Sequence, residues 1–238
     1  MKRARNIAVI PARGGSKRIK DKNIIDFCGK PMIVHTLEAA RDSGLFDVIH
    51  VSTDSERIAS VAEEAGFPVD FMRISELCDD HTGVLPVLQW TLAQYRRREQ
   101  TFDAACLIMP CAPLIEASDL VHGAKKFAQL GGTDPVIAVA PLPIPIEQVF
   151  RMTTDGRLTP LQPDKIKERS QDLEETYFDT GTYIYFPVDW VLSDTPPGPF
   201  DYVSVMLPLH KAVDINDPEQ VDLAEVLYLG RQAQRGIA

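Results

Sequence analysis

The first 140 residues alternate short apolar runs with longer stretches in which apolar residues recur at helical spacing. This alternation predicts right-handed β-α-β units and an α/β fold with a mostly parallel sheet. Sites in such sheets lie at the carboxyl ends of the strands. Strands are predicted at 6–10, 48–52, 69–72, 104–109 and 136–140. We therefore expect one cleft, lined by the loops after Ile10, Ser52, Met109 and Ala140.

The pattern changes in the segment 141–181. Prolines stand at positions 141, 143, 145, 160 and 163, and Gly156 indicates the tip of a hairpin near 154–157. We interpret this segment as an inserted arm or lid. The catalytic domain is then predicted to comprise 1–140 and 182–238, with further strands at 183–186 and 204–207 and a last helix from Pro218.

The composition argues against several classes of protein. The formal net charge of −9 disfavours nonspecific nucleic-acid binding. No apolar run approaches the ~20 residues of a membrane-spanning helix, and the run at 6–10 is too short for the core of a signal peptide. The cysteines form no Cys-x-x-Cys pair and the histidines are scattered, so we predict no zinc site. We expect a cytoplasmic protein without nucleic-acid or membrane partners.

A glycine-rich, basic loop follows the first strand. It reads Ile-Pro-Ala-Arg-Gly-Gly-Ser-Lys-Arg at 10–18, with Lys22-Asn23 shortly after. Glycines let backbone amides approach phosphate oxygens, and basic side chains offset charge on a departing pyrophosphate. The loop lacks the Gly-Lys-Ser/Thr end of a Walker motif and the Gly-x-Gly-x-x-Gly of a dinucleotide site. A solvated basic loop is the alternative, but strand, glycines and charges together favour phosphate binding.

These residues resemble the signature of the acylneuraminate cytidylyltransferases, which make CMP-linked sugar acids. Further matches to that family span nearly the whole chain: Gly29-Lys30-Pro31, Val51-Ser52-Thr53-Asp54, Arg73 before Glu76-Leu77, Asp79-Asp80 and Ala112-Pro113-Leu114. The stretch 169–175, followed by Tyr177, Asp179 and Gly181, is similar to the pseudaminic acid branch. Met109 stands where sialic acid enzymes carry a Gln near the sugar, so we expect a pocket unsuited to ordinary N-acetylneuraminate.

The resemblance implies transfer of CMP from CTP to the anomeric hydroxyl of a nonulosonic acid, with Mg²⁺ as cofactor. It also implies a Rossmann-like α/β fold, in which helices sandwich a mostly parallel sheet. A homodimer is implied as well, in which the 141–181 arm reaches the neighbour's cleft. The catalytic residues implied are Arg13, Lys17, Lys22 and Asp214. Those implied for the nucleotide are Ala12, Arg13, Gly14, Gly15, Ser16, Asn23, Arg73, Asp80, Thr82 and Gly83. The sugar is assigned to Met109, Arg169, Gln171, Tyr177, Asp179 and Gly181, and the metal to Asp214 and Asn216.

The predicted metal site departs from the family pattern. Family members carry Asp-Ile-Asp near the C-terminal end, whereas this chain reads Asp214-Ile215-Asn216. Side chains two positions apart point the same way along an extended segment, so Asp214 and Asn216 are both expected to reach one Mg²⁺. An amide oxygen ligates Mg²⁺ without a full negative charge. Weaker metal binding, a shifted site and altered activity are the alternatives, and a turn or capping role is the alternative for Asp214.

Further departures surround the predicted sugar pocket, at Glu147-Gln148, Phe178, Thr180 and Thr182. Three alternatives to a pseudaminic acid cytidylyltransferase stay open. One is a cytidylyltransferase for legionaminate, N-acetylneuraminate or a Kdo-like acid. A second is a metal-impaired nucleotide-binding relative without turnover. A third, a glycosyltransferase of similar fold, requires an Asp-x-Asp after a mid-chain strand, which 104–109 does not provide.

Overall fold

The computed structural model describes residues 5–193 and 202–236. Its strands are β1 (Asn6–Pro11), β2 (Asp26–Phe27), β3 (Lys30–Pro31), β4 (Val48–Ser52), β5 (Ala104–Ile108), β6 (Val136–Pro141), β7 (Phe150–Met152), β8 (Leu158–Pro160), β9 (Tyr177–Pro187) and β10 (Val203–Met206). Its α-helices are α1 (Met32–Asp42), α2 (Glu56–Glu64), α3 (Val84–Arg97), α4 (Ala117–Gln129), α5 (Val188–Val191) and α6 (Pro218–Gln234).

Six strands pair into the central sheet in the order β10-β6-β9-β5-β1-β4. Strand β1 runs parallel to β4 and β5, and β10 runs parallel to β6. Strand β9 is antiparallel to both of its neighbours, β5 and β6. The predicted mostly parallel α/β sheet is therefore confirmed, with β9 as the reversed strand among the described residues.

Strand β1 shows how the helices come to cover both faces of the sheet. Its side chains are apolar at every interior position, and alternate residues point to opposite faces. Ala8 and Ile10 pack in the cluster that contains residues of α1, α2 and α4. Ile7 and Val9 pack in the cluster that contains residues of α3 and α5. A continuous apolar run therefore becomes a central strand with two buried faces.

The strand predicted at 69–72 is wrong. This segment bends alongside β4, which remains at the edge of the sheet. A backbone hydrogen bond from Arg73 N to Thr53 O (2.7 Å) joins its end to the residue after β4. Phe71 packs on the rings of His50 and Tyr95. Phe71 is half-buried against these rings, and a four-residue pattern cannot distinguish such a loop from a strand.

The hairpin predicted in the inserted segment is confirmed. Strands β7 and β8 pair antiparallel, and Gly156 in their turn adopts a φ of 82° that favours glycine. Strand β9 begins earlier than expected, because Tyr177 already pairs with Pro141 of β6. The segment outside the central sheet is therefore 142–176, and 177–181 of the predicted arm belong to β9.

Gly123 of α4 packs directly against two tyrosine rings of β9. A Cβ at this position would lie 2.7 Å from Tyr183 Cε2 and 2.8 Å from Tyr185 Cε2. Both rings are held in place, because their hydroxyls donate hydrogen bonds of 2.9 Å to backbone carbonyls of α4. We expect Gly123→Ala to lower the free energy of unfolding by about 1–3 kcal/mol, measured by urea titration.

Gly230→Ala in α6 is the matched control. A Cβ there meets nothing within 4 Å. Alanine is the better helix former, so this variant is expected to gain up to about 1 kcal/mol. Equal stabilisation of the Gly123 and Gly230 variants would contradict the helix–sheet contact at Gly123.

Candidate active site

A cleft of about 710 Å³ opens at the carboxyl ends of β1 and β5. Residues of the loops after these strands line it, together with the segment leading into α3, Gly181 and the pair Asp214 and Asn216. The loops after β4 and β6, which were also expected to line it, supply no lining residue among the described residues. The loop after β4 instead supports the loop after β1, since Asp54 Oδ1 accepts a hydrogen bond from Gly14 N (2.8 Å).

The cleft is positively charged although the chain as a whole is acidic. Among the described residues, its lining contains two carboxylates, Asp80 and Asp214, and five cations: Arg13, Lys17, Arg18, Lys22 and Arg73. The formal net charge of the whole chain is −9. An excess of cations in a concave site raises the local concentration of anionic ligands. Four basic residues of the loop after β1 therefore line a cleft: Arg13, Lys17, Arg18 and Lys22.

Asp80 binds the two cations that are nearest the tip of the basic loop. Its carboxylate pairs with Arg13 Nη1 (2.8 Å) and with Lys17 Nζ. The hydrogen bond from Lys17, followed by that from Arg13, lowers the pKa of Asp80. Arg13 also donates to Asp79 O (2.8 Å), so it ties the loop after β1 to the segment before α3. A phosphate group entering the cleft would compete with the Asp80 carboxylate for Arg13 and Lys17.

The backbone of the basic loop is only partly directed at the cleft. Arg13 and Ser16 line it, as expected for nucleotide binding. Ala12 is fully buried, and the backbone amide of Gly14 donates a hydrogen bond to Asp54. Gly15 is not among the lining residues, and a Cβ there meets nothing within 4 Å. The structure therefore places side chains, rather than the predicted Ala12, Gly14 and Gly15, at the cleft wall.

Asn23 and Arg73 reach the cleft but are occupied by protein partners. Asn23 Nδ2 donates to Arg13 O (3.0 Å). Arg73 Nε donates to Ser52 Oγ (3.1 Å), its Nη2 donates to Ser52 O, and its Nη1 donates to Leu77 O (3.5 Å). Burial lowers the pKa of Arg73. In this structure Arg73 joins the end of β4 to the segment before α3, and nucleotide contact is left to its remaining donors.

The segment leading into α3 brings Asp80, Thr82 and Gly83 to the cleft together, as predicted. Asp79 shapes this turn, because its Oδ1 accepts hydrogen bonds from Thr82 N (2.6 Å) and His81 N (2.7 Å). These backbone hydrogen bonds lower the pKa of Asp79. The first turn of α3 faces the same space, and a helix N-terminus favours negative charge.

Asp214 lies against Gly181 at another wall of the cleft. Gly181 has a φ of 61°, and a Cβ there would lie 3.2 Å from Asp214 Cγ. Both the backbone conformation and the close approach therefore require glycine at this position. The amide of Gly181 donates to Asp179 Oδ1 (2.9 Å), which holds the irregular part of β9 that meets Asp214.

Asp214 and Asn216 come together as predicted, but Asn216 does not offer its oxygen to a metal. Asn216 Nδ2 donates to Asp214 Oδ2 (2.6 Å). Its Oδ1 accepts from Arg18 Nη2 (3.2 Å) and from Lys22 Nζ (3.5 Å). Lys22 is fixed further by Ile215 O (2.6 Å). The amide oxygen thus faces two cations, whose charges oppose a metal ion at the same point.

A single carboxylate fits one mode of Mg²⁺ binding. Among the described residues, no group of three or more His, Cys, Asp and Glu side chains could hold a metal ion. Mg²⁺ is commonly bound through one or two carboxylates plus the phosphates of a substrate, rather than in a cage of protein ligands. Asp214 beside the cationic wall fits that shared mode, and it does not fit a metal site made of protein ligands alone.

The residues expected to bind the sugar divide into two groups. Met109 and Gly181 line the cleft. The other four are not among its lining residues and lie on the arm or the first part of β9: Arg169, Gln171, Tyr177 and Asp179. Local partners hold three of these, since Arg169 pairs with Asp172 (2.7 Å), Tyr177 donates to Glu175 (2.6 Å) and Asp179 accepts from Gly181. One copy of the chain therefore presents a nucleotide-sized cleft without the predicted sugar residues of the arm.

Several lining residues were not assigned a role from the sequence: Arg18, Ile19, His81, Val84, Val87, Pro110 and Cys111. Arg18 belongs to the basic cluster that the sequence does show. Pro110 and Cys111 follow a predicted strand, and position after a strand was the available signal. The first turn of α3 gave no such signal, because Val84 and Val87 read as ordinary apolar helix positions.

The N-terminal half of the chain, which carries most of the cleft, matches a known family. The family described as cytidylyltransferase matches residues 7–129, more than half of the 238 residues. This chain belongs to the cytidylyltransferase family. The predicted family is thereby confirmed.

Curated relatives of this cytidylyltransferase act on sugar acids. It is 34% identical over 226 residues to the pseudaminic acid cytidylyltransferase of Campylobacter jejuni, covering 94% of this chain and 96% of the relative. It is 34% identical over 170 residues to the CMP-N,N'-diacetyllegionaminic acid synthase of Legionella pneumophila, covering 71% of this chain and 70% of the relative.

Solved structures share the fold of the cytidylyltransferase. CMP:2-keto-3-deoxy-manno-octonic acid synthetase complexed with CTP matches with a TM-score of 0.70 at 16% identity, over 96% of this chain and all of that one. The 4-diphosphocytidyl-2C-methyl-D-erythritol synthase of Anaerococcus prevotii matches with a TM-score of 0.60 at 14% identity, over 96% and 99% of the two chains. Across the described residues, no helix has both the length and the apolarity that a bilayer crossing requires.

Proposed function

We propose that this protein transfers CMP from CTP to the anomeric hydroxyl of pseudaminic acid and releases pyrophosphate. The observation that carries the proposal is the excess of cations in a cleft at the carboxyl edge of a cytidylyltransferase sheet. A triphosphate is the ligand that such a wall fits. Near-full-length similarity to the Campylobacter jejuni enzyme supports pseudaminate as the acceptor. CTP is a cytoplasmic metabolite, and we assign the protein to the same compartment.

The reaction asks the protein for positioning and charge stabilisation more than for covalent chemistry. Arg13 and Lys17 exchange the Asp80 carboxylate for phosphate oxygens of CTP. Lys22, held by Ile215 O, stays beside Asp214 and offsets charge that builds up on the departing pyrophosphate. Asp214 would hold Mg²⁺ together with the phosphates of CTP, and the ion would raise the electrophilicity of the α-phosphorus. The cleft then orients the sugar hydroxyl in line with that phosphorus.

We also propose that the protein is a homodimer joined through the arm. The β7–β8 hairpin exposes large apolar side chains: Phe150, Met152 and Leu158 are 45%, 73% and 61% exposed. Exposed apolar residues grouped on a small projecting element are typical of a protein–protein interface. A dimer of this kind would supply the arm residues Arg169 and Gln171 to the neighbour's cleft, which one copy of the chain does not do.

The dimer is tested by placing charges on the hairpin. We expect the double variant Met152→Lys, Leu158→Lys to be monomeric by light scattering after gel filtration, because two buried ammonium groups would lack partners in the interface. The matched control is Val226→Lys, Leu229→Lys on α6, where the side chains are 68% and 55% exposed. A hairpin variant with the mass of the wild-type dimer would exclude this interface, as would a monomeric wild-type protein.

The substrate assignment is tested with CTP and a panel of sugar acids. Released pyrophosphate is measured with pseudaminate, legionaminate, N-acetylneuraminate and Kdo. We expect the highest kcat/KM with pseudaminate. A higher kcat/KM with another acid would support the cytidylyltransferase activity and contradict pseudaminate as its acceptor. If no acid led to release of pyrophosphate, the proposed activity itself would be contradicted.

A metal-impaired relative without turnover is a second candidate, and Asn216 favours it. Calorimetric titration of CTP with and without Mg²⁺ separates the two. We expect the active enzyme to bind CTP more tightly in the presence of Mg²⁺, because Asp214 and the phosphates then share the ion. Equal affinity under both conditions, together with a silent substrate panel, would favour the impaired relative.

Asn216→Asp restores the Asp-Ile-Asp pattern of the family and so tests whether Asn216 weakens binding of Mg²⁺. The new carboxylate would face Arg18 and Lys22, which already donate to the Asn216 oxygen, so its charge has partners. We expect the half-maximal Mg²⁺ concentration to fall, because the two cations no longer face a neutral amide. A variant with unchanged Mg²⁺ dependence would show that position 216 has no influence on the metal.

A further inference from the structure

Cys111 is a buried thiol in the wall of the cleft, just after β5. It is 8% exposed, and its Sγ lies 3.1 Å from Asn23 Oδ1, to which it donates a hydrogen bond. Burial raises the pKa of this thiol to about 12, so the sulfur keeps its proton and remains a donor near neutral pH. The group is therefore unsuited to nucleophilic chemistry, for which the thiolate is required. Its geometry suits a different purpose.

Asn23 connects Cys111 to the basic loop. It is 4% exposed, and its Nδ2 donates to the backbone oxygen of Arg13 (3.0 Å). An amide carries its acceptor and its donors on opposite sides. A donor beside Oδ1 therefore fixes which side of the Asn23 amide faces the loop. With Cys111 in place, the nitrogen faces the carbonyl of the residue that carries a predicted catalytic guanidinium.

We infer that Cys111 is a positioning residue for CTP binding, which holds Arg13 through the amide of Asn23. The inference rests on the proposed role of Arg13 in binding the triphosphate. The chain of contacts joins the two loops that lie at the carboxyl ends of β1 and β5. It spans 88 positions of sequence, from Asn23 to Cys111, and ends on the backbone of Arg13.

Removal of the Cys111 thiol would leave the buried oxygen Asn23 Oδ1 without its hydrogen-bond donor. A buried polar atom deprived of its partner favours rearrangement. For Asn23 the available rearrangement is a shift of the amide oxygen toward another donor, such as water in the cleft, which would lengthen and weaken the hydrogen bond from Nδ2 to Arg13 O. The Arg13 backbone would then be held less firmly, and the guanidinium would meet the phosphates less often in the required geometry.

The test compares Cys111→Ser, which keeps a donor, with Cys111→Ala, which removes it. We expect Cys111→Ala to raise the Kd and the KM for CTP by roughly fivefold, the size of one lost hydrogen bond. The KM for the sugar acid should stay constant, because the contacts from Cys111 through Asn23 end at Arg13, which is proposed to bind the triphosphate and not the sugar. Cys111→Ser should restore the affinity for CTP to within about twofold of wild type. In an Asn23→Ala background, Cys111→Ala should have no further effect on the Kd for CTP, because the amide that connects Cys111 to Arg13 is already absent.

Each alternative outcome has a definite meaning. Unchanged CTP affinity in Cys111→Ala, equal impairment of the Ser and Ala variants, or a matching rise in the KM for the sugar acid would overturn the inference. If Cys111→Ala does not fold, the pair Cys111→Thr and Cys111→Val replaces it, since the two side chains match in shape and differ by the hydroxyl. Wild-type protein that does not bind CTP would refute the proposed function, and the inference with it.

Discussion

Replacing Arg13 with Ala is expected to lower kcat/KM by ~10²-fold or more, the scale measured for loss of one charge-stabilising donor. Arg13 joins the basic loop to Asp80 and to Asp79 O. In the proposed reaction, phosphates of CTP would replace Asp80, and the same guanidinium would stabilise charge that increases toward the transition state. Steady-state kinetics with released pyrophosphate as the signal provide the measurement.

Two further variants separate the charge of Arg13 from its structural contacts. Arg13→Lys keeps the charge and loses the planar donor pattern, so it should fall between wild type and Arg13→Ala. Arg41→Ala removes an exposed arginine that pairs with its neighbour Asp42 and should leave the kinetics unchanged. Calorimetric CTP titrations of all variants show whether binding or turnover is lost. Near-normal kinetics in Arg13→Ala would exclude the basic loop from the reaction.

Replacing Asp214 with Ala is expected to lower turnover by ~10²-fold or more, because the carboxylate that is proposed to hold Mg²⁺ with CTP is lost. The measurement is the rate as a function of Mg²⁺ concentration. We expect a lower maximum and a midpoint shifted to higher Mg²⁺. Gly181 permits the close approach of Asp214, so a general collapse of the wall is not expected when the side chain is shortened.

Asp217→Ala is the matched control for that experiment. Asp217 caps α6, accepting a hydrogen bond from Gln220 N (3.0 Å), and it is not a lining residue of the cleft. Loss of this cap should cost about 1 kcal/mol of folding stability and leave the Mg²⁺ dependence unchanged. An Asp214→Ala variant with wild-type Mg²⁺ dependence would remove this residue from the metal site.

Local patterns in the sequence determined several strands, the hairpin and the position of the basic loop. The apolar run of β1 predicts a strand with two buried faces, and Gly156 predicts a hairpin, because both features depend on neighbouring residues alone. The run from Pro11 to Lys22 predicts an anion site, since glycines and cations at the end of a strand supply the backbone amides and the charge that phosphates require. Comparison with the pattern of sialic acid enzymes directed attention to Met109, which does line the cleft. The first 140 residues therefore predicted four of the six strands of the central sheet, and they contain the cations of the cleft wall.

Only the tertiary structure decided which side chains share the cleft and which are already engaged. Asp80 meets Arg13 and Lys17 across more than sixty positions of sequence, and the Asn216 oxygen turns to Arg18 and Lys22 instead of a metal. The segment 69–72 has a strand's pattern, yet it forms a loop that packs one half-buried ring beside an edge strand. Hydrogen bonds and ion pairs depend on distances of a few ångströms between groups far apart in the chain, and those distances exist only after the helices and strands have packed.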